Sequence, residues 1–377
     1  MLLADLPDEL LIAVLLYLCA EDLYRCIRLN KRIAGIIQGT PRLRYHALLD
    51  LYGLEDNEEC RADINEKIEA LLLREDAYLR FKYRFDEIES SDGYPSIYDL
   101  SSGRLFIGNE GGSMSVRSAK LPTEAGQRMT WSEIFVGQSI CDFGTSVEEH
   151  DLIAIVISSP TPDGLWCNID AALYQLSGQP HPEAQRPQIH ILQVDETWGQ
   201  PSVSIEIVGD TLAVIIYYAF DFEHAGSRLF LFAWRTGVAL NPGGQPATNL
   251  GLCFLTLDLL LHPNEEKLAL EVFRVPEEPA GPDLELVCEL LYPDFQPDAE
   301  IYNTVCRGDP NPSLRHVHPS VTATRPFRAR AEDSVVLVFI TWRHEPGDNE
   351  EALSLVFHRS TVLRHVDLGE RVVPWKD

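Results

Sequence analysis

The sequence lacks a long hydrophobic run. Its longest uninterrupted apolar stretch, residues 10–20, has 11 residues, whereas a membrane-spanning helix needs about 18 or more. No Lys or Arg precedes Arg25, and a secretory signal begins with positive charge. We therefore expect neither a spanning helix nor a signal peptide, and we expect the protein in the cytoplasm, the nucleus or both.

Positive charge is also scarce. The chain has 31 Lys and Arg against 58 Asp and Glu, which gives a formal net charge of −27. Such a chain repels the phosphate backbone, so nucleic-acid binding is disfavoured. The same charge accelerates encounters with basic partners, so a protein target of basic character is one expectation. Simple solubility of an acidic protein is the other.

Motifs for metal binding and catalysis are missing. The 8 cysteines are widely spaced and form no C-x-x-C pair, which argues against a zinc site or a disulfide framework. His316-Val317-His318 has no acidic or thiol ligand at a recognised spacing. Glycine-rich segments match no phosphate-binding loop, and neither G-x-S-x-G nor H-E-x-x-H occurs. We predict no metal, no cofactor and no catalytic residue.

Composition changes near residue 90. Before it, Leu, Ile and Ala recur at helical spacing; after it, Gly, Pro and Ser separate short β-branched runs, a pattern typical of strands. The predicted fold class is multidomain α+β. Its segments are helices at 1–40, a helical linker at 41–89 and an all-β domain at 90–377.

The β region contains repeated apolar runs that follow an acid. They begin after Asp151, Asp210 and Asp333, and a fourth strand-like run covers residues 268–273. All-β sequence with a repeating unit favours a β-propeller of the WD or kelch kind. At about 45 residues per blade, six or seven blades are expected. A pair of β-sandwiches could give a similar pattern.

The first helix has apolar residues on most of its circumference. Residues 10–18 are all apolar, whereas a small surface helix needs only one apolar stripe. One face must therefore be covered by something beyond the short neighbouring helices. Either a separate protein or another part of this chain could cover it.

These residues resemble an F-box. The resemblance is carried by Leu6-Pro7-Asp8-Glu9-Leu10-Leu11, Val14-Leu15, Tyr17-Leu18, Asp22-Leu23, Arg25 and Asn30-Lys31-Arg32. It departs from the family at Ala20, where proline is usual, and at Ile33, where tryptophan is frequent. An F-box is a three-helix module that binds a Skp-type adaptor in a cullin–RING ubiquitin ligase. The resemblance implies adaptor contacts at Leu6, Pro7, Leu10, Leu11, Val14, Leu15, Leu18 and Leu23.

The rest of the chain resembles the C-terminal regions of F-box proteins common in mushroom-forming (basidiomycete) fungi. The similar segments are Leu176-Ser177-Gly178, His181-Pro182 with Pro187, Val208-Gly209-Asp210, Trp234-Arg235-Thr236-Gly237 and Phe254-Leu255-Thr256. The resemblance implies a non-catalytic substrate-recognition subunit of a Skp–cullin–F-box (SCF) ubiquitin ligase, with a target protein bound by the β domain. Two alternatives stay open: a propeller-class hydrolase or lyase with a helical cap, and a scaffold protein without ubiquitin transfer.

Overall fold

The chain divides into two compact units in the computed structural model. The structure describes residues 6–86, 88, 95–108, 114–218, 227–295, 299–312, 325–344 and 350–375. The first unit comprises described residues 6–86 and 325–333, and the second comprises the others. His316-Val317-His318 lies outside the described residues. No described helix is long and apolar enough to cross a membrane.

The first unit is mainly helical. Its helices are α1 (Asp8–Leu15), α2 (Ala20–Ile27), α3 (Lys31–Gly39), α4 (Pro41–Leu51) and α5 (Ile64–Leu79). Pro41 begins α4, where its missing N–H costs no hydrogen bond. Asp63 and Glu66 form a reciprocal capping box at the start of α5. Helix α5 ends at Leu79, inside the helical linker predicted at 41–89, and Phe81 beyond it has a positive φ of 49°.

Two hydrophobic clusters hold these helices together. The first joins α1, α2, α3 and α4 through Leu11, Leu15, Leu23, Ile33, Ile36, Ile37 and Leu43. The second joins α4 and α5 through Tyr45, Leu49, Leu54, Ile68 and Leu71. Ile33, which stands where the F-box family often has tryptophan, is 6% exposed and belongs to the first cluster. It therefore contributes to the core of the module.

A short strand pair completes the first unit. The strand β1 (Leu54–Asp56) pairs antiparallel with β20 (Phe327–Ala329), although more than 250 residues separate them in sequence. The Arg328 guanidinium also forms an ion pair with the Glu55 carboxylate. Sequence reasoning placed residues 325–333 in the β domain, and the structure assigns them to the helical unit.

The second unit contains five sheets among its described residues, and their strands pair antiparallel except for one parallel pair in the fourth sheet. The first sheet has β2 (Ile97–Ser101), β3 (Arg104–Gly108), β4 (Ser115–Lys120) and β5 (Trp131–Phe135). The second has β6 (Ser139–Ser146), β7 (Leu152–Pro160), β8 (Trp166–Gln175) and β9 (Gln188–Asp195). The third has β10 (Ser202–Val208), β11 (Thr211–Tyr217), β12 (Arg228–Ala233), β13 (Val238–Ala239) and β14 (Gln245–Pro246).

The remaining two sheets follow in the same order along the chain. The fourth has β15 (Cys253–Phe254), β16 (Leu259–Asn264), β17 (Ala269–Arg274), β18 (Leu286–Leu291) and, parallel to β18, β23 (Val372–Val373). The fifth has β19 (Ala299–Asp309), β21 (Val335–His344) and β22 (Glu350–His358). Two helices lie between strands, α6 (Val147–His150) and α7 (Arg359–Asp367).

Each hydrophobic core of the second unit is shared by sheets that follow one another in sequence. The first and second sheets share the cluster around Phe106 and Ile153, and the second and third share the cluster around Val156 and Trp234. Two further clusters join the third to the fourth sheet and the fourth to the fifth. The sheets therefore stack face to face in chain order, which explains why their strands are apolar on both faces.

The acid-led runs form the second strands of their sheets at three places. The runs after Asp151, Asp210 and Asp333 correspond to β7, β11 and β21. The predicted run at 268–273 forms β17, which is the third strand of the fourth sheet; the second strand is β16, directly after Asp258. Five sheets occur among the described residues of the second unit, where a repeat of about 45 residues predicts six or seven blades.

Candidate functional site: an exposed apolar face on the first helix

Helix α1 has two apolar faces with opposite environments. Leu11 and Leu15 are 1% and 5% exposed and lie in the core of the helical module. Leu10 and Val14, which are also four residues apart, are 52% and 42% exposed. Residues four apart lie above one another on a helix. The helix therefore carries one buried apolar stripe and one exposed apolar stripe.

Arg32 fixes the start of this helix. Its guanidinium donates to the Asp8 carboxylate at 2.5 Å and to the Leu6 carbonyl oxygen at 2.8 Å. Asp8 also lies in the first turn of α1, where a negative charge interacts favourably with the helix dipole. These contacts join the first turn of α1 to α3, so the exposed stripe lies on a defined surface.

Asp50 joins α2 to α4. Its carboxylate accepts a hydrogen bond from the Ala20 backbone N–H at 2.7 Å and two from Arg330 at 3.2 Å. The Ala20 N–H and, to a smaller extent, Arg330 hold the pKa of Asp50 below its ordinary value, although partial burial opposes this. Proline, which the family usually has at this position, lacks an N–H group. Ala20 has one, and the Asp50 carboxylate provides its hydrogen-bond acceptor at the start of α2.

The structure places the eight sequence-predicted contact residues in different environments. Leu11, Leu15 and Leu23 are interior residues of the module, with 5% exposure or less. Their assignment as adaptor contacts is therefore corrected, because the side chains pack inside the three-helix core. The others reach the surface: Pro7, Leu10 and Val14 are exposed, and Leu6 and Leu18 are partly buried.

Sequence reasoning did not select three exposed residues of the same module. Tyr17 is 91% exposed, Tyr24 is 54% exposed and Leu29 is 69% exposed. Tyr17 follows Val14 by three residues, and that helical spacing was a signal that could have identified it. Burying a large apolar side chain contributes about 1.5–3 kcal/mol. At these exposures, Leu10, Val14 and Tyr17 offer on the order of 3–6 kcal/mol gross, offset by the cost of association.

A second group of polar residues lies where the first strands of several sheets come together in the β region. The Thr145 hydroxyl on β6 donates to the Asp99 carboxylate on β2 at 2.7 Å. Asn311, which follows β19, donates to the Glu206 carboxylate on β10 at 2.6 Å. Burial raises the pKa of Glu206 to about 7, although the hydrogen bond from Asn311 opposes the shift. This carboxyl group can therefore hold or release a proton near neutral pH.

The segment Trp234-Arg235-Thr236-Gly237 forms the turn between β12 and β13. Gly237 has a positive φ of 70°, and Trp234 is fully buried with its indole N–H donating to the Gly209 carbonyl oxygen at 3.0 Å. His150 and His181 both pack against the Trp234 ring. These contacts give Trp234 a structural role in the third sheet.

Comparison with known proteins identifies one domain. Residues 3–49 match the F-box-like family, so α1–α3 and most of α4 form an F-box-like domain. No curated protein matches the chain. A solved structure of a proposed exo-beta-1,3-galactanase from Bifidobacterium bifidum s17 is similar over 70% of this chain and 86% of that chain, with 10% sequence identity and a TM-score of 0.25. A score this low carries no argument about fold or activity.

Proposed function

We propose that this protein is the substrate-recognition subunit of an SCF ubiquitin ligase, in which the exposed stripe of α1 binds a Skp-type adaptor. The observation that carries the proposal is the exposure of Leu10 and Val14 within a stretch that matches the F-box-like family. An apolar stripe in water is unfavourable unless a partner covers it. Pro7, Leu6 and Leu18, together with Tyr17, extend the proposed contact surface.

In this role the protein makes and breaks no covalent bond. The adaptor connects it to a cullin–RING ligase, and the target protein is held near the ubiquitin-loaded conjugating enzyme. Restricting two reactants to one assembly raises their effective concentration, so the rate gain comes from proximity. No cofactor is needed for that mechanism.

The β region is the proposed target-binding domain. Five successive sheets with shared cores support a propeller-like arrangement, in which each sheet is one blade. The loops between strands of such a domain can present binding residues without disturbing the stacked cores. Similarity of this region to basidiomycete F-box proteins stays a prediction.

None of the 8 cysteines forms a disulfide bond in the structure, which suits a reducing compartment. This supports the proposed location in the cytoplasm, the nucleus or both, where SCF ligases would meet their targets.

Size-exclusion chromatography tests the proposal. The purified full chain is mixed with a Skp-type adaptor, and co-elution in a single earlier peak is expected. A sample of the chain with Leu10→Glu and Val14→Glu should elute separately from the adaptor, because two carboxylates would be buried unpaired at the contact. Separate elution of the unchanged chain would overturn the proposal.

Glu206 favours one second candidate, a hydrolase or lyase with the helical unit as a cap. A carboxyl group with a pKa of about 7 can act as a general acid or base at neutral pH. In that case Glu206→Gln would abolish turnover of a substrate and leave adaptor binding unchanged.

A scaffold without ubiquitin transfer is distinguished by target levels, which would then not rise on proteasome inhibition.

A further inference from the structure

A surface pocket lies at one end of the second sheet, outside the features described above. It has a volume of about 430 Å³ and is lined by Gly164, Leu165, Trp166, Asp195, Glu196 and Thr197. Leu165 and Trp166 are 62% and 44% exposed, and the nearby Trp198 is 46% exposed. Large apolar side chains thus stand beside two carboxylates on an accessible surface. This set is called the Trp166 pocket below.

Backbone contacts hold the Trp166 pocket in shape. Trp166 on β8 lies directly opposite Asp195 on β9, and residues paired in this way point to the same face of a sheet. The Glu196 N–H donates to the Leu165 carbonyl oxygen at 3.1 Å, and the Thr161 N–H donates to the Trp166 carbonyl oxygen at 2.8 Å. Both sides of the pocket are therefore anchored to regular strands.

No basic side chain of the described residues pairs with the carboxylates of the pocket. Hydrogen bonds from Thr197 to the Asp195 carboxylate lower the pKa of that group. Within the described part of the chain, neither Asp195 nor Glu196 forms an ion pair with a Lys, Arg or His side chain. A ligand that enters the pocket therefore meets two unneutralised negative charges.

The surrounding sequence strengthens the negative field. From Met129 to Ser227 the chain has 14 Asp and Glu residues but one Lys or Arg, which is Arg186. This stretch includes the second sheet and the first two strands of the third. A field of one sign attracts cations and repels anions before contact.

We propose that the Trp166 pocket binds an arginine side chain of the target protein. The planar guanidinium stacks on an indole ring and pairs with a carboxylate through two hydrogen bonds, a combination that the compact ammonium group of lysine matches less well. An acidic segment would be repelled, and a purely apolar side chain would leave Asp195 and Glu196 without a counter-charge. The assignment of the arginine to a ligase target rests on the proposed function. The affinity of the pocket for arginine does not depend on it.

Isothermal titration of the full chain with hexa-arginine amide tests this inference. Trp166→Ala and Glu196→Gln are each expected to weaken binding by at least about five-fold, because they remove the stacking ring and a counter-charge. The matched controls are Trp375→Ala, whose ring is 46% exposed, and the exposed Glu277→Gln. Both controls should stay within about two-fold of the unchanged chain. Hexa-lysine should bind more weakly than hexa-arginine.

Two results would overturn the inference. One is equal weakening by Glu196→Gln and Glu277→Gln, which means that only the overall charge attracts the peptide. The other is unchanged binding after Trp166→Ala in a chain whose circular dichroism is unaltered. Trp166→Leu, which keeps an apolar side chain but has no aromatic ring, serves if the alanine variant does not fold. Adaptor co-elution is measured on the same samples. Lost adaptor binding with intact peptide binding contradicts the ligase role alone, and the reverse contradicts the pocket alone.

Discussion

Leu10 and Leu11 are adjacent in the sequence and lie about 100° apart around the axis of α1, with 52% and 1% of their surfaces exposed. Leu11 packs against α2, α3 and α4, so it stabilises the helical module. Leu10 makes no such contribution and stays available for a partner. This division separates residues that build the F-box-like domain from residues proposed to bind the adaptor.

Leu11→Ala should destabilise the helical unit by about 2–5 kcal/mol, because it leaves a cavity in a fully packed core. Leu10→Ala should change the free energy of unfolding by less than about 0.5 kcal/mol, since its side chain is half exposed. Urea titration followed by circular dichroism at a helix-sensitive wavelength measures both. All 6 tryptophans lie outside the helical unit, so tryptophan fluorescence serves as an internal control that should not move. An equal effect of the two variants would contradict the division of α1 into two faces.

Asp50→Asn should destabilise the helical unit by about 1–3 kcal/mol, because it weakens the hydrogen bonds to Ala20 and Arg330. The pKa of Asp50 is lowered in the folded chain. Its stabilising contribution is therefore present above the ordinary pKa and is lost as pH falls through the folded-state pKa. The same urea titration measures the loss.

The control for that variant is Asp76→Asn, which breaks two exposed ion pairs, with Arg80 and Lys82. Exposed pairs of this kind contribute little to stability, so no measurable shift in the urea midpoint is expected. A larger loss for Asp76→Asn than for Asp50→Asn would show that the Asp50 contacts do not hold α2 to α4.

Gly144→Ala tests the close approach of β6 and β10 in the β region. A Cβ atom at Gly144 would lie 2.4 Å from Ile205 Cγ2 and 3.3 Å from the Ile205 carbonyl oxygen, so the first strands of two sheets would have to separate. We expect a loss of about 1–3 kcal/mol in stability, measured by tryptophan fluorescence. Gly281→Ala, which has open space around its Cβ, is the matched control. Equal stability of the two variants would contradict the stacking of successive sheets.

Glu206→Gln tests the raised pKa in the β region. Between pH 4.5 and about 7 the carboxyl group is ionised in the unfolded chain but protonated in the folded chain. Folding then retains a proton, so the stability of the unchanged protein falls as pH rises through this window. The glutamine variant has no such loss, and it should gain on the order of 3 kcal/mol relative to the unchanged protein between pH 4 and pH 8.

Other groups near Glu206 and elsewhere also affect this profile. Arg307 lowers the pKa of Glu206, while Asp99 and Asp309 raise it. Burial lowers the pKa values of His150 and His262, so their effect has the opposite sign: stability is lost as pH falls through 6.5. Taking the difference between variant and unchanged protein cancels the histidine contribution. A difference that stays flat with pH would show that the pKa of Glu206 is not raised.

The sequence predicted the helices and several strands because their signals are local. Leu, Ile and Ala at helical spacing identified the helical part of the chain, and an acid before an apolar run identified β7, β11 and β21. The pairing of Leu54 with Ala329 could not be predicted. The two strands are short and far apart in sequence, and neither contains a sequence pattern that identifies its partner. The fourth run was predicted at residues 268–273, which form β17. The prediction missed β16, which directly follows Asp258, because the connections between sheets differ in length.

The candidate site was predicted in part. Periodicity showed that α1 is apolar around most of its surface, but it could not decide whether Leu10 or Leu11 faces inward, since adjacent leucines are chemically equivalent. That choice depends on where α2, α3 and α4 pack. The Trp166 pocket left no motif in the sequence, because Trp166 and Asp195 come together only through strand pairing.

The most direct test of the central claim is the dissociation constant of the full chain for a Skp-type adaptor, measured by titration calorimetry. Leu10→Glu with Val14→Glu should weaken binding by at least about 100-fold, because both side chains would be covered in the complex. Leu73→Glu with Leu79→Glu, two positions on α5 that are 64% and 77% exposed, should bind as the unchanged chain does. Equal affinity of the α1 variant and the unchanged chain would contradict the claim that the exposed stripe of α1 binds the adaptor.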